Sequence, residues 1–217
     1  MGACFNVGTG LAMGVRADAH HHGAVASDMM ILASSSPRRS ELLQQIGVRF
    51  TTDVADIDET PLPGETPADY VARLSLAKAR VVAQRHPGRV VLGSDTTVVL
   101  NDRILSKPED DSQARQMLTE LSGNSHQVMT AVALVQDSTE KQITVVTDVR
   151  FCELSAQQID AYIATGEPAD KAGSYGIQGL GAVLVASISG SYSNVVGLPL
   201  TETAALLGEL GVPVWEK

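Results

Sequence analysis

Met30-Ile31-Leu32-Ala33-Ser34-Ser35-Ser36-Pro37-Arg38-Arg39 joins an apolar run to a hydroxyl-rich, proline-headed, basic one. The first half suits a short buried strand. In the second half Ser36 reads as an N-cap and Pro37 as the first helical residue, so a helix begins at once. Leu42, Leu43 and Ile46 form its apolar face, and Gly47 stops it. A strand handed directly to a helix is the repeating unit of an α/β fold, and the pattern recurs downstream.

Phe50 to Ile57 reads as extended and Thr60-Pro61-Leu62-Pro63-Gly64 as a loop. Thr66-Pro67 repeats the cap logic and opens a long helix through Tyr70, Val71, Leu74, Ala77, Lys78 and Val81. Arg89 to Leu92 and Thr97 to Leu100 read as two strands split by Gly93-Ser94-Asp95-Thr96, with Asn101-Asp102 as a turn. A helix follows from about Asp111 to Leu121, then two strand-like runs, Gln127 to Val135 and Gln142 to Phe151, expected to pair antiparallel. Ser155 caps a short helix through Ile159 and Tyr162. The Gly-rich chain from Gly173 to Gly181 leads to a strand at Ala182 to Ile188, a loop at Gly190 to Gly197 and a last helix from about Pro199 to Leu210.

Composition narrows the class. A chain of 217 residues with 44% hydrophobic and 19% charged content can bury a real core. No apolar run is long enough to span a bilayer. Cys4 and Cys152 lie far apart with no metal-ligand spacing, which points to a reducing, cytoplasmic compartment rather than a disulfide framework or zinc site. The net charge of −9 argues against a nucleic-acid partner, so any anionic substrate must meet a local basic cluster. Residues 1–28 show scattered Gly and Ala, the His20-His21-His22 run and no periodicity; they are expected to be a disordered extension, with the native start at Met29 or Met30. Residues 29–217 are expected to form one catalytic domain.

The Ser34 to Arg39 junction puts hydroxyls, helix-terminal amides and two guanidinium groups together, an arrangement that grips phosphate, although an ordinary capped surface helix begins in the same way. Asp95 follows an apolar strand and is expected at a strand end or bend facing a cleft, where a carboxylate suits a metal or a water. Asp58-Glu59 offers a second carboxylate; two acids converging on Mg²⁺ would bridge triphosphate oxygens. Taken singly, each is an ordinary turn or surface acid. Lys78, on a helix among small apolar neighbours, and Lys107, fixed before Pro108, are candidates to neutralise phosphate charge, with solvated side chains as the ordinary alternative. Lys171 opens the Gly-rich segment, and Gln178 within it has the donor and acceptor pair needed to read a base edge.

Taken together, Leu32-Ala33-Ser34-Ser35-Ser36-Pro37-Arg38-Arg39, Gly93-Ser94-Asp95-Thr96, Lys107-Pro108, Asp170 through Gly179 and Asn194-Val195-Val196-Gly197-Leu198-Pro199 resemble the Maf family of nucleotide pyrophosphatases, over a span from about Met30 to Leu210. The resemblance implies an α/β fold like that of inosine triphosphate pyrophosphatases: an elongated, curved mixed sheet with flanking helices and two lobes around a nucleotide cleft. It implies that Ser34, Ser36, Arg38 and Arg39 bind triphosphate, that Glu59 and Asp95 serve a divalent cation (Mg²⁺ or Mn²⁺) and water, with Asp95 as proton acceptor, and that Lys78 and Lys107 are catalytic-site lysines. Lys171 would join the substrate contacts, and Arg38, Thr96 and Gln178 fall where the family sets base preference. Thr96 with Tyr175-Gly176-Ile177-Gln178 resembles the branch acting on dTTP and UTP rather than the branch taking 7-methyl-GTP, which carries Gln where Thr96 stands. The extension over residues 1–28 departs from the family pattern. The expected partner is a nucleoside triphosphate, with no nucleic acid and no membrane, and the size allows a homodimer. A nucleotide-binding regulator of septum formation, acting through a protein partner, is the rival class; only the enzyme needs Glu59 and Asp95 together.

Overall fold

The computed structural model describes residues 29–217. Cys4, the triple histidine and the expected disorder of residues 1–28 lie outside it. Strand β1 (Met30–Leu32) runs into α1 (Pro37–Gln45), where the Ser36 hydroxyl accepts from the Arg39 amide as the N-cap. Strand β2 (Phe50–Thr52), α2 (Pro67–Arg85) and β3 (Val91–Leu100) complete the parallel part of the sheet, in the order β2-β1-β3. Strand β4 (Arg103–Leu105) folds back on β3, and α3 (Asp111–Leu121) leads to the long hairpin of β5 (Ser125–Gln136) and β6 (Thr139–Phe151). Helix α4 (Ala156–Ala164), opened by a Ser155/Gln158 capping box, precedes three short 3₁₀ turns between Glu167 and Leu184. Strand β7 (Val185–Ser189) closes the seven-stranded mixed sheet, and α5 (Tyr192–Val196) and α6 (Leu200–Glu209) follow.

The alternation of side chains along β3 sorts the core into layers. Even-numbered residues face α1, α6, α3 and α4: Val90 and Leu92 join one apolar cluster with Leu43 and Leu207, while Val98 and Leu100 join another with Leu118 and Phe151. Between them on the same face lie the polar Ser94 and Thr96. Odd-numbered Val91 faces α2, where Ala79 and Val82 pack with Ile31 and Ala133. The expected α/β architecture, a mixed sheet with flanking helices, is therefore what the chain adopts.

Several boundaries differ from the sequence reading. Gly93 to Thr96 does not split a strand: β3 pairs with β5 without interruption from Val91 to Val99. Asp95 accordingly lies in mid-strand rather than at an end or bend. Of the Phe50 to Ile57 run only Phe50–Thr52 pairs as a strand; after the Asp53 amide donates to the Leu32 carbonyl, the Asp53 carboxylate turns to Arg85 and His86 at the end of α2. Leu180–Leu184 winds as 3₁₀ turn, so the last strand begins at Val185, and the Gly190–Gly197 loop contains α5, capped by Ser191.

Candidate active site

Strand β3 is buried along its length except at Asp95 and Thr96. The cause is topological. On the edge opposite β5, β1 pairs with β3 only as far as Leu92 and β4 takes up the same edge only from Val98. The edge between those two partners opens into a cavity of about 900 Å³. Its wall is built from the Ser34 to Arg39 turn, Glu59, Lys78, Thr96, Lys107, and the Asp170 to Gly179 segment. One groove therefore gathers Ser34, Ser36, Arg38, Arg39, Glu59, Lys78, Thr96, Lys107, Lys171 and Gln178, which are spread over most of the described sequence.

Asp95 stands behind this wall and joins it through Lys78. The Lys78 ammonium lies 2.9 Å from Asp95 Oδ1 and 2.7 Å from Glu59 Oε1. Lys78 reaches inward because Ser75 and Ala79, on the same helix face, let α2 sit against the sheet: a Cβ on Gly93 would lie 2.2 Å from the Ser75 carbonyl oxygen and 2.8 Å from the Ala79 nitrogen. The Asp95 side chain is 13% exposed and that of Glu59 is 55% exposed, so the two acids sit in different media. Burial raises the Asp95 carboxyl above its ordinary range, against the opposing pull of Lys78 and Arg39. Neighbour Asp58 turns away to accept from the Thr60 amide.

The two arginines of the turn part company. Arg39 donates to the Gly197 carbonyl (2.9 Å), Ser34 Oγ (3.2 Å) and Thr96 Oγ1 (2.9 Å), and burial holds its guanidinium below the usual arginine range despite the nearby charges of Asp95 and Glu59. Thr96 also meets Thr130 Oγ1 at 2.8 Å, Thr130 donates to the Asn194 carbonyl, and the Asn194 amide donates to Val128 O and Thr147 Oγ1. This hydrogen-bonded seam crosses the sheet between the two apolar clusters and fixes Thr96 at the cavity floor. Arg38 lines the cavity beside Gly176 and, with the exposed Lys107, is open to a ligand. Lys171 is paired with Asp170 at 2.8 Å, its stem packed under Gly176.

Tyr70 was not singled out from the sequence, yet its hydroxyl donates to the Glu59 carbonyl at 2.7 Å; burial, then the charges of Asp95 and Glu59, push its pKa up to about 12. Arg73 holds the same loop through Glu65 and the Thr60 carbonyl. The spacing of Tyr70 and Lys78, about two helical turns apart on neighbouring positions of one face of α2, was the available signal. Thr130 gave no local signal at all, since its role comes from strand register.

Among the described residues no three His, Cys, Asp or Glu side chains gather as a ready-made metal cage. Glu59 on the groove wall and Asp95 just behind it, both within reach of Lys78, are carboxylates of the kind that hold a hard cation whose remaining ligands come from water and substrate phosphate. No helix among the described residues is long and apolar enough to cross a membrane.

A profile of Maf-like proteins matches residues 29–210. The chain is 53% identical over 186 residues to a dTTP/UTP pyrophosphatase of Symbiobacterium thermophilum, covering 86% of this chain and 96% of that protein. It is 55% identical over 188 residues to a dTTP/UTP pyrophosphatase of Pseudoalteromonas atlantica, covering 85% and 98%. Among solved structures, the Ham1 protein of Staphylococcus aureus aligns at a TM-score of 0.41 with 14% identity, over 58% of this chain and 73% of that one. By the profile match and by relatives aligned over nearly their full length, the chain belongs to the Maf-like protein family.

Proposed function

We propose that the chain hydrolyses dTTP and UTP, and modified pyrimidine counterparts, to the nucleoside monophosphate and pyrophosphate. The observation that carries this reading is the sharing of one groove: Glu59 and Lys78 line the same cavity as the Ser34 to Arg38 turn, Thr96 and Gln178, and Lys78 ties Asp95 to them from behind the wall. The relatives named as dTTP/UTP pyrophosphatases support the substrate class. Ser34, Ser36 and Arg38 bind the phosphates together with the amino end of α1, while Arg39 stiffens that turn from within. Lys107 and Lys171 add positive charge along the chain of phosphates, and Thr96 with Gln178 faces the base.

In the reaction Asp95 accepts a proton from water as the water oxygen bonds to the α-phosphorus. The bond from that phosphorus to the bridging oxygen breaks, and pyrophosphate leaves with the electron pair. Lys78 keeps Asp95 and Glu59 in place and offsets their mutual repulsion. A divalent cation, Mg²⁺ or Mn²⁺, held by Glu59 and Asp95 with substrate oxygens, would supply charge neutralisation at the phosphates. We further propose that residues 29–217 act as one catalytic unit, in the cytoplasm, without nucleic acid or membrane, and as a homodimer, which light scattering measures directly.

The test is pyrophosphate release from canonical and modified nucleoside triphosphates with and without Mg²⁺ or Mn²⁺. Asp95→Asn is expected to lower turnover with dTTP by roughly 10²- to 10⁴-fold while leaving the fold intact. Wild-type turnover in that variant removes the proton-acceptor role. Binding of dTTP with no pyrophosphate released by the intact protein would place the chain with nucleotide-responsive regulators instead.

A further inference from the structure

Gln178 is exposed and lines the cavity from the Gly176 to Gly181 loop, and that loop has an anchor of its own. Tyr162, on the buried face of α4, donates its hydroxyl to Glu167 Oε1 at 2.6 Å and accepts from the Gly176 amide at 3.2 Å. Glu167 in turn accepts from the Leu180 amide at Oε2 (2.8 Å) and from the Gly181 amide at Oε1 (2.9 Å). Backbone amides on both sides of Gln178 thus end on one Tyr–Glu pair. The packing is close: a Cβ on Gly179 would lie 2.4 Å from Glu167 Oε2, and one on Gly181 would lie 2.6 Å from the Tyr162 oxygen. Burial works to raise the Glu167 carboxyl, but the hydrogen bonds from Tyr162, Gly181 and Leu180 outweigh it and hold the group below its ordinary range. The ionised form, acceptor at both oxygens, is the one the loop needs.

We infer that Glu167 and Tyr162 are a positioning pair that fixes the loop bearing Gln178 and so sets the base selectivity of the site. The inference rests on Gln178 reading the base as proposed above. Both residues act through the loop and neither belongs to the acid and lysine cluster. A base-reading amide is selective only if its donor and acceptor are held in one orientation; a loop free to shift can satisfy several base edges. Glu167→Gln keeps the size but replaces one acceptor oxygen with an amino group that faces a backbone donor. Tyr162→Phe keeps the ring and removes both hydrogen bonds of the hydroxyl.

The experiment measures kcat and KM for dTTP, UTP, dCTP and dGTP on the intact chain and on Glu167→Gln, Tyr162→Phe, Gln178→Ala and the Glu167→Gln/Gln178→Ala double variant. Each anchor variant is expected to narrow the kcat/KM preference for dTTP over dCTP by about tenfold, the equivalent of one or two lost hydrogen bonds, and mainly through the KM for dTTP. In the double variant the preference falls no further than in Gln178→Ala alone, because both changes remove one interaction. Equal losses on all four nucleotides, or additive losses of preference in the double variant, would reduce the pair to a structural prop and overturn the inference. If Glu167→Gln does not fold, Tyr162→Phe decides by the same ratios. An unmodified chain that releases pyrophosphate but shows no preference removes the base-reading role of Gln178 and this inference with it; an unmodified chain that discriminates while both variants discriminate equally well removes the anchor alone.

Discussion

His126 lies on β5 with its ring turned into the apolar core. His126 is 3% exposed and its Nε2 lies 2.7 Å from the Tyr175 hydroxyl, with Phe151 packed edge-on to its ring. Its Nδ1 has no partner, and burial lowers its pKa to about 4. The unfolded chain takes up a proton near pH 6.5, whereas the folded chain resists until about pH 4. Between those values the unfolded state binds more protons, so the contribution of His126 to stability is full above about pH 6.5 and is lost as pH falls toward 4. From pH 7 to pH 5 this one group is expected to cost about 2 kcal/mol at most. Urea unfolding of wild type and His126→Gln at the two pH values measures it: the variant, neutral throughout and still able to bond Tyr175, should show a flatter dependence. An unchanged slope in the variant would assign the acid sensitivity to carboxylates.

At the level of elements, the contact between α2 and β3 places the acids and their lysine. Gly93 is required because α2 passes so close that any side chain would strike the Ser75 carbonyl. Gly93→Ala should therefore force α2 off the sheet, carrying Lys78 away from Asp95. We expect a loss of about 1–3 kcal/mol of stability and a fall in turnover larger than the lost stability explains. A variant with wild-type Tm and activity would show that α2 yields without moving Lys78. The capped helices were legible from sequence because Ser36-Pro37, Thr66-Pro67 and Ser155 carry their signals locally. The continuity of β3 was not: Gly93 and Asp95 have low strand propensity, and what overrides it is the unbroken ladder to β5, set by residues some forty positions away. For the same reason the Asp95 to Lys78 pair was named as two separate candidates, while Thr130, Asn194 and the Tyr162–Glu167 anchor acquire their partners only through register and long-range packing.

Across the whole molecule the cavity divides one face of the sheet into two apolar clusters, and the seam from Arg39 through Thr96 and Thr130 to Asn194 spans the division. The groove gathers Arg38, Lys78, Lys107 and Lys171 although the chain carries a net charge of −9. On the proposed function a polyphosphate binds there and joins segments from both sides of the groove, so binding should stabilise the folded state as a whole. With a non-hydrolysable α,β-imido analogue of dTTP at about a hundred times its Kd, mass action gives about 2.7 kcal/mol, or a rise in Tm of roughly 5–10 °C for a chain of this length. The rise should require Mg²⁺ or Mn²⁺ if Glu59 and Asp95 share a cation with the phosphates, and it should shrink as ionic strength screens the groove. If Thr96 and Gln178 read the base as proposed, the corresponding dCTP analogue at the same concentration should raise Tm less. Calorimetry that finds equal rises for both analogues would deny base reading by Thr96 and Gln178, and no rise with either would deny that the groove takes a triphosphate.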